Sequence, residues 1–254
     1  MSSISYRDSG SGSPLIFLHG FCETHETWSQ FTAQLSSKRR VIAPDLPGFG
    51  DSPPLTGDFS MSDVADAIKD WILQLNVPKP ILIGHSLGGY VTLALAEKHP
   101  DLVAGFGLFH STALPDSAEK KENRLKVIEF VEKNGVQKYV ESFIPGLFHQ
   151  KDNAYIPKAI AIARKTPLQT FVSYTNAMMS RPSREHVLRD TKVPVLLIAG
   201  DRDSGIPIAT IEAQAALNKR IILQVLPDTG HMGMFESEKA SADAISAFVT
   251  ALSQ

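Results

Sequence analysis

Short apolar runs alternate with longer, helix-patterned stretches along most of this chain, and this alternation restricts the fold more than any other feature of the sequence. Runs that are apolar throughout are typical of strands covered on both faces, and strands alternating with helices predict an α/β fold with a mainly parallel sheet. The pattern predicts six strands, at residues 14–18, 41–43, 81–83, 102–109, 195–199 and 221–226. It predicts five helices, at residues 27–36, 61–75, 87–98, 208–217 and 236–252.

The alternation stops at about residue 112 and resumes at Val193. Between them lie helical patterns without a strand pattern, broken at Gly135, Pro145-Gly146, Pro157, Pro167 and Pro182. We therefore predict one core, residues 1–111 and 191–254, with a helical insertion at 112–190. From Asp116 to Lys192, 14 Lys and Arg oppose 9 Asp and Glu, so this segment carries +5 and the rest of the chain −7. Either these charges form a solvated helical surface, or they attract acidic substrates or an acidic partner.

Composition excludes several classes of function. The 254 residues carry a net charge of −2, which gives no case for nucleic-acid binding. Cys22 is the single cysteine, which excludes an intrachain disulfide and a cysteine-built metal site. The longest apolar runs have five residues, where a membrane helix needs ~20, and the polar N-terminus does not resemble a secretory signal. These features predict a soluble, cytoplasmic globular protein. We expect it to be a monomer or homodimer that acts on a small molecule and requires no metal or cofactor.

The strongest local motif is Gly84-His-Ser-Leu-Gly-Gly89, which follows a predicted strand and precedes a predicted helix. A sharp strand-to-helix turn holds the central Ser86 in a strained backbone conformation with its hydroxyl above the sheet. The start of the helix directs N–H groups toward that hydroxyl. Small residues are needed at 84 and 88, because a Cβ there would collide with the neighbouring strand and helix. A glycine-rich helix entry with an inactive serine is the alternative.

A serine nucleophile needs a base, and the base needs an acid to orient it. His231 lies in the loop after the last predicted strand. Because the carboxyl ends of parallel strands share one edge of a sheet, this loop emerges on the same side as Ser86. Asp201 and Asp203 both follow an earlier strand, and two residues apart they point in different directions. We expect Asp203 to be the acid, because it lies further into the loop and beside Gly205.

Two backbone N–H groups are expected to bind the oxyanion that forms when a carbonyl is attacked. Leu87 supplies one because it directly follows the nucleophile. Phe21 supplies the second from the loop after the first predicted strand, where Gly20 allows a close approach of the chain. His110, at the end of another strand, is a candidate pocket-lining residue. A few large side chains of the insertion are also expected to face the site, from the set Tyr139, Phe143, Phe148, Phe171, Tyr174, Met178 and Met179.

Together these residues closely resemble the α/β-hydrolase superfamily, over nearly the whole chain. Five motifs carry the resemblance in the expected order: Phe17-Leu-His-Gly-Phe21, Pro44-Asp-Leu-Pro-Gly-Phe-Gly-Asp-Ser52, Gly84-His-Ser-Leu-Gly-Gly89, Gly200-Asp-Arg-Asp203 and Gly230-His-Met232. The resemblance implies a mostly parallel central sheet with helices on both faces, and it identifies the insertion as a helical cap. A serine at the elbow departs from the haloalkane dehalogenases and epoxide hydrolases of this superfamily, which carry aspartate there.

The resemblance also implies roles for individual residues: Ser86 as nucleophile, Asp203 as acid, His231 as base, and Phe21 and Leu87 as oxyanion donors. We expect a serine hydrolase that cleaves a small-to-medium carboxylic ester through an acyl-enzyme, without nucleic acid or membrane as partner. Two alternatives stay open. One is a carbon–carbon bond hydrolase, lyase-type relative or perhydrolase acting on a carboxylate-bearing substrate. The other is a non-catalytic receptor for a small ligand.

Overall fold

The structure is a computed structural model that describes residues 4–37 and 39–252. Both ends of the predicted core, residues 1–3 and 253–254, lie outside the described residues. Helices pack on the two faces of a central sheet, as expected for an α/β fold. In the described part of the chain, no helix is long and apolar enough to cross a bilayer.

The strands are β1 (Tyr6–Ser9), β2 (Pro14–Leu18), β3 (Arg40–Pro44), β4 (Ile81–His85), β5 (Gly105–Phe109), β6 (Val195–Gly200) and β7 (Ile221–Leu226). Their order across the sheet is β1-β3-β2-β4-β5-β6-β7, with β1 antiparallel to β3 and every other pair parallel. All six predicted strands are present, and β1 was not predicted. The strand expected at 102–109 begins only at Gly105, because Pro100–Leu102 forms a 3₁₀ turn.

The helices are α1 (Ala33–Ser36), α2 (Met61–Gln74), α3 (Leu87–Lys98), α4 (Ala118–Asn134), α5 (Val136–Leu147), α6 (Ile156–Ala163), α7 (Leu168–Ser180), α8 (Glu185–Asp190), α9 (Ile208–Ala215), α10 (Gly233–Glu236) and α11 (Glu238–Ala251). The helices predicted at 61–75 and 87–98 are confirmed as α2 and α3, and α9 is two residues shorter than expected. The helix predicted at 236–252 is preceded by the short α10.

The single helix predicted at 27–36 is wrong. The chain instead forms a 3₁₀ turn at His25–Trp28 and the one-turn helix α1. The hydroxyl of Ser29 donates to the carbonyl of Glu26, and that of Thr32 donates to the carbonyl of Trp28, at 2.8 Å each. The same two carbonyls also accept the backbone N–H groups of Ser29 and Thr32, and serine or threonine hydroxyls that share a helical carbonyl in this way weaken and bend a helix.

Between β5 and β6 the chain forms α4 to α8, and residues 112–190 contain no strand. Most of the expected proline breaks lie at helix boundaries: Pro157 is in the first turn of α6 and Pro167 caps α7. Pro145 differs, because α5 continues through it to Leu147. A proline near the end of a helix removes a single hydrogen bond and does not prevent the final turn from forming.

Side chains of each buried strand alternate between two hydrophobic clusters. In β2, Leu15 and Phe17 pack in the cluster that includes α11, whereas Ile16 and Leu18 pack in the cluster that includes α2 and α3. The sheet is therefore covered on both faces, which explains why its strands are apolar throughout. The loops after β2, β4, β5, β6 and β7 all emerge at the carboxyl edge, where the predicted site residues lie.

Candidate active site

Ser86 lies at the sharp turn between β4 and α3, with φ 48° and ψ −111°. A positive φ at a residue other than glycine is strained, as the sequence predicts for this position. A Cβ on Gly84 would overlap the carbonyl of Gly88, and a Cβ on Gly88 would overlap the carbonyl of Leu18 in β2. The prediction that small residues are required at these two positions is therefore confirmed. The tight turn directs the start of α3 toward the serine.

Asp203 and His231 are joined by a hydrogen bond of 2.6 Å from His231 Nδ1 to Asp203 Oδ2. The other carboxylate oxygen, Oδ1, accepts hydrogen bonds from the N–H groups of Gly205 (2.9 Å) and Ile206 (3.1 Å), which fix the carboxylate in its loop. Asp201 lies apart from this pair and accepts a longer hydrogen bond from the N–H of Thr229, at 3.4 Å. The structure thus places Asp203, and not Asp201, against the histidine.

The environment separates the pKa values of this pair. Burial opposes ionisation of Asp203, but the charge of His231 and hydrogen bonds from His110 and His231 outweigh it, so the pKa of the carboxyl is lowered. Burial likewise opposes the charged form of His231, but the Asp203 carboxylate dominates and the pKa of the imidazole is raised. The carboxylate therefore stays ionised and stabilises a proton on the histidine, which is what an acid–base pair in catalysis requires.

Ser86 and His231 lie on the wall of one cavity of about 310 Å³. Across residues 4–37 and 39–252, the Ser86 hydroxyl has no hydrogen-bond partner, and neither has Nε2 of His231. The structure thus brings both groups to the same space without joining them by a hydrogen bond. Catalytic hydrogen bonds are often long in unliganded enzymes and shorten when substrate binds. Both groups are accordingly free to contact a molecule in the cavity.

The N–H groups of Phe21 and Leu87 also lack acceptors within the described part of the chain. Phe21 lies on the cavity wall, and Leu87 is the first residue of α3, where the N–H groups of a helix have no intrahelical partner. A Cβ on the adjacent Gly20 would contact His85 Nδ1 at 2.6 Å, so only glycine fits there. Unpaired, fixed N–H groups beside a serine are the arrangement that stabilises an oxyanion.

The sequence analysis missed a second buried acid–histidine pair, formed by Glu23 and His85. Glu23 Oε1 lies 3.0 Å from His85 Nδ1, and Glu23 Oε2 accepts the N–H of Gly20 at 2.8 Å. On its other side, His85 Nε2 lies 3.0 Å from the carbonyl oxygen of His231. Burial would raise the pKa of Glu23, but the charge and hydrogen bond of His85 outweigh it and lower the pKa. This pair links the Gly20 loop, the turn at Ser86 and the His231 loop.

His110 does not line the cavity, so that prediction is wrong. It is 1% exposed and lies behind Asp203, with Nδ1 3.5 Å from Asp203 Oδ2 and 3.3 Å from the N–H of Gly200. Gly233 packs against its Nε2 atom. Burial lowers the pKa of His110 to about 4 despite the nearby carboxylate, so the ring is neutral.

His110, Asp203 and His231 hold potential metal-ligand atoms within 4.8 Å of one another. Ligands of a tetrahedral Zn²⁺ ion, each at about 2.0–2.2 Å, lie roughly 3.4 Å apart. The 2.6 Å contact between Asp203 and His231 is much shorter than that separation. The three side chains therefore fit a group joined by hydrogen bonds and ion pairing better than a metal site.

The expected large side chains of the insertion divide into two groups, apart from Met179, which is half-buried and does not line the cavity. Tyr139 and Phe143 line the cavity, together with Val127 and Leu147 from the same insertion. Phe148, Phe171, Tyr174 and Met178 are buried away from it and pack within the hydrophobic core. The site therefore has an apolar wall made of insertion side chains opposite the turn at Ser86.

Comparison with known proteins agrees with this architecture. The sequence model of the alpha/beta hydrolase family matches residues 15–244. A thermophilic esterase from Thermogutta terrifontis is 31% identical, with a TM-score of 0.92 over 98% of this chain and 93% of that chain. The 2-hydroxymuconate semialdehyde hydrolase of Pseudomonas sp. strain CF600 is 28% identical, over 95% of this chain and 88% of its own length. The 2-(acetamidomethylene)succinate hydrolase of Mesorhizobium japonicum is 26% identical, over 98% and 92%.

The family model covers most of the chain, and the sheet order and the helices on both faces agree with the fold that the sequence resemblance implies. Both the predicted resemblance and the predicted fold class are confirmed. Esterases and other hydrolases among the similar proteins support a hydrolase. The chain belongs to the alpha/beta hydrolase family.

Proposed function

We propose that the protein is a serine hydrolase that cleaves small-to-medium carboxylic esters through an acyl-enzyme. The observation that carries the proposal is the Asp203–His231 pair, whose histidine lines the same cavity as a serine on a strained turn. Leu87 directly follows the serine and Phe21 lines the same cavity, and in the described part of the chain neither backbone N–H group has an acceptor. The similarity to the Thermogutta esterase supports an ester as the substrate.

In the proposed reaction, Ser86 Oγ attacks the carbonyl carbon of the ester while His231 Nε2 accepts the hydroxyl proton. Asp203 holds the Nδ1–H tautomer and stabilises the imidazolium that forms. The N–H groups of Phe21 and Leu87 donate to the oxyanion of the tetrahedral intermediate. His231 then gives its proton to the departing alkoxide, and the acyl group stays on Ser86. Water, deprotonated by His231, attacks the acyl carbon; the bond from that carbon to Ser86 Oγ then breaks, His231 returns the proton to Oγ, and the carboxylic acid is released.

We further propose that the insertion, residues 112–190, acts as a cap over this site. Its helices α4, α5 and α7 supply eight residues of the cavity wall: the apolar part is made of Val127, Tyr139, Phe143 and Leu147, and the polar part of Lys120, Asn123, Arg124 and Thr175. The insertion is tied to the loops of the sheet edge, because the N–H of His231 donates to the carbonyl of Leu147 at 2.7 Å. A second tie runs from the Tyr174 hydroxyl to the carbonyl of Pro47, at 2.9 Å. An apolar wall of this kind suits the hydrocarbon part of an acyl or alkoxy group.

A carbon–carbon bond hydrolase with the same three residues is the second candidate. The 28% identity to 2-hydroxymuconate semialdehyde hydrolase favours it, as does the presence of Lys120 and Arg124 on the cavity wall. The two candidates differ in the bond that is broken. Turnover of a vinylogous 1,5-diketone with no activity on simple esters would favour the second candidate.

Covalent labelling tests the shared core of both candidates. A fluorophosphonate probe should label wild-type protein at Ser86, as mapped by peptide mass spectrometry, and should not label Ser86→Ala. p-Nitrophenyl esters from acetate to octanoate should then be turned over by wild type and not by Ser86→Ala. Phe21→Ala should lose less activity than Ser86→Ala, because the oxyanion donor at 21 is a backbone group. Absence of both labelling and turnover in folded protein would refute the proposed function.

A further inference from the structure

We propose that the cavity holds a carboxylate group of the substrate at a cationic end formed by Lys120, Asn123 and Arg124. The inference rests on the proposed function and narrows it: the substrate is an ester, or a related acyl compound, that also carries a free carboxylate. We name these three residues the α4 polar end. All three line the same cavity as Ser86 and His231.

The spacing of the α4 polar end on its helix explains why the three side chains act together. Positions 120, 123 and 124 are related by three and four residues, so they lie on one face of α4. Val127 continues the same face one turn later and also lines the cavity. One helix thus supplies a charged end and an apolar end to the same wall. A substrate with an anionic group and a hydrocarbon segment matches this division.

The charged side chains beside the cavity carry a net positive charge, which favours the binding of an anion. Asp116, whose side chain is 1% exposed, is the partner of two guanidinium groups, those of Arg124 and Arg181. Burial opposes ionisation of Asp116, but hydrogen bonds and charges from both arginines outweigh it and lower its pKa, so it carries a full negative charge. With Lys120 added, three cations lie near two buried carboxylates, that of Asp116 and that of Asp203, which is paired with His231. The local excess is one positive charge.

Hydrogen-bond donors also remain unused at the α4 polar end. Arg124 binds Asp116 through Nε and Nη2, and its Nη1 has no partner in the described part of the chain. Lys120 Nζ makes one hydrogen bond, to the carbonyl of Gly205 at 2.9 Å, and has two further N–H groups. The Arg124 side chain is only 23% exposed, so its charge is partly removed from water. A partly desolvated guanidinium beside an ammonium binds a carboxylate more strongly than exposed surface cations do.

The α4 polar end lies close enough to the reacting groups for one small molecule to reach both. Lys120 contacts Gly205, which is two residues from Asp203, and Gly205 itself lines the cavity. A volume of about 310 Å³ is at the small end for ligand pockets. The carboxylate and the scissile carbonyl therefore belong to one compact substrate.

Matched ester pairs test the proposal. Mono-p-nitrophenyl succinate and p-nitrophenyl butyrate differ by a carboxylate on the acyl side; 4-acetoxybenzoate and its methyl ester differ by one on the leaving group. We expect kcat/KM to favour the carboxylated member of one pair by about tenfold or more, and we expect added KCl to reduce that preference. Lys120→Gln should lower the preference about five- to tenfold, mainly through KM. Lys121→Gln, an exposed lysine off the cavity wall, should leave it unchanged.

Binding without turnover separates the two proposals. Isothermal titration of succinate into Ser86→Ala should show binding that the added Lys120→Gln weakens and the added Lys121→Gln does not. Neutral esters that are turned over as fast as the carboxylated ones, without salt dependence or succinate binding, would overturn the carboxylate site and leave the hydrolase intact. Succinate binding with no Ser86 labelling and no ester turnover would overturn the proposed hydrolysis instead.

Discussion

Removing the carboxylate of Glu23 should destabilise this protein far more than removing a surface carboxylate three residues away. Glu23 is 5% exposed, and its two oxygens bind the Gly20 N–H and His85. Glu26 pairs with Lys165 at 2.8 Å, but these side chains are 42% and 59% exposed. Glu23→Ala and Glu26→Ala therefore delete the same chemical group from one loop in two different environments.

The magnitude follows from burial. Glu23→Ala removes an ionised acceptor from two buried donors, the Gly20 N–H and the His85 ring; hydrogen bonds to charged groups contribute about 1.5–3 kcal/mol each, so two that share one carboxylate contribute about 3–5 kcal/mol together. The orphaned Gly20 N–H is part of this cost and is not added to it. An exposed ion pair contributes about 0–1 kcal/mol. In a chain of this size, 1 kcal/mol shifts Tm by roughly 2–4 °C, so Glu23→Ala should lower Tm by about 6–20 °C and Glu26→Ala by less than about 4 °C.

Thermal unfolding followed by circular dichroism, with urea unfolding as a second measurement, gives both values. Glu23→Gln should lie between the two, because a neutral amide can accept from Gly20 and donate to His85 without supplying charge. Wild-type-like stability of Glu23→Ala would refute the reasoning. A loss of stability in Glu26→Ala equal to that in Glu23→Ala would refute it as well, since burial would then not decide the outcome.

Three further predictions concern the site and its support. Ester kcat/KM should fall as the pH is lowered, because the proposed base His231 must be neutral to accept a proton. The midpoint should lie above the ordinary histidine value of about 6.5, because Asp203 raises the pKa of His231. Asp203→Asn should lower kcat by about 10⁴ and move that midpoint down, and pH–rate profiles would show both effects. Gly88→Ala should lower the free energy of unfolding by about 1–3 kcal/mol and remove most of the activity, because the added Cβ overlaps a carbonyl of β2. Gly146→Ala, with open space at its Cβ, is the control and should lose no stability in thermal unfolding. Tyr174→Phe should lower stability by about 1 kcal/mol, since it removes a buried hydrogen bond between the insertion and the core, and urea unfolding would measure this.

The sequence predicted the buried strands well because burial on both faces leaves an unbroken apolar run. The missed strand β1 shows the limit of that signal. Its four residues, Tyr6–Ser9, are all exposed, and it pairs only with β3 at the edge of the sheet. A strand at this position needs backbone hydrogen bonds and no hydrophobic side chain, so the sequence carries no apolar pattern for it.

The residues of the candidate site could be predicted where their placement depends on the strand that each one follows. Ser86 follows β4, Asp203 follows β6 and His231 follows β7, so parallel topology alone brings the three loops to one edge. Glu23 and His85 were missed for a different reason. Their pairing across 62 residues depends on how two loops fold over each other, and a glutamate in a loop otherwise indicates a solvated surface. The one local signal is the spacing from Gly20 to Glu23, which suits a carboxylate that binds a backbone N–H three residues earlier.

Two acid–histidine pairs lie side by side beneath the cavity, with the His85 and His231 rings 5.1 Å apart, yet only one of them is arranged for proton transfer. Both ring nitrogens of His85 contact acceptors inside the protein, Glu23 and the His231 carbonyl, and His85 does not line the cavity, so neither nitrogen is available to a substrate or a serine. His231 has one nitrogen bound to Asp203 and the other unpaired in the described part of the chain, and its side chain is 11% exposed at the cavity against 1% for His85. The buried Glu23–His85 pair therefore holds the loops together. The Asp203–His231 pair, whose histidine lines the cavity, can change its protonation during a reaction. Nearness to the serine in sequence would have favoured His85 as the base; the number of free ring nitrogens favours His231.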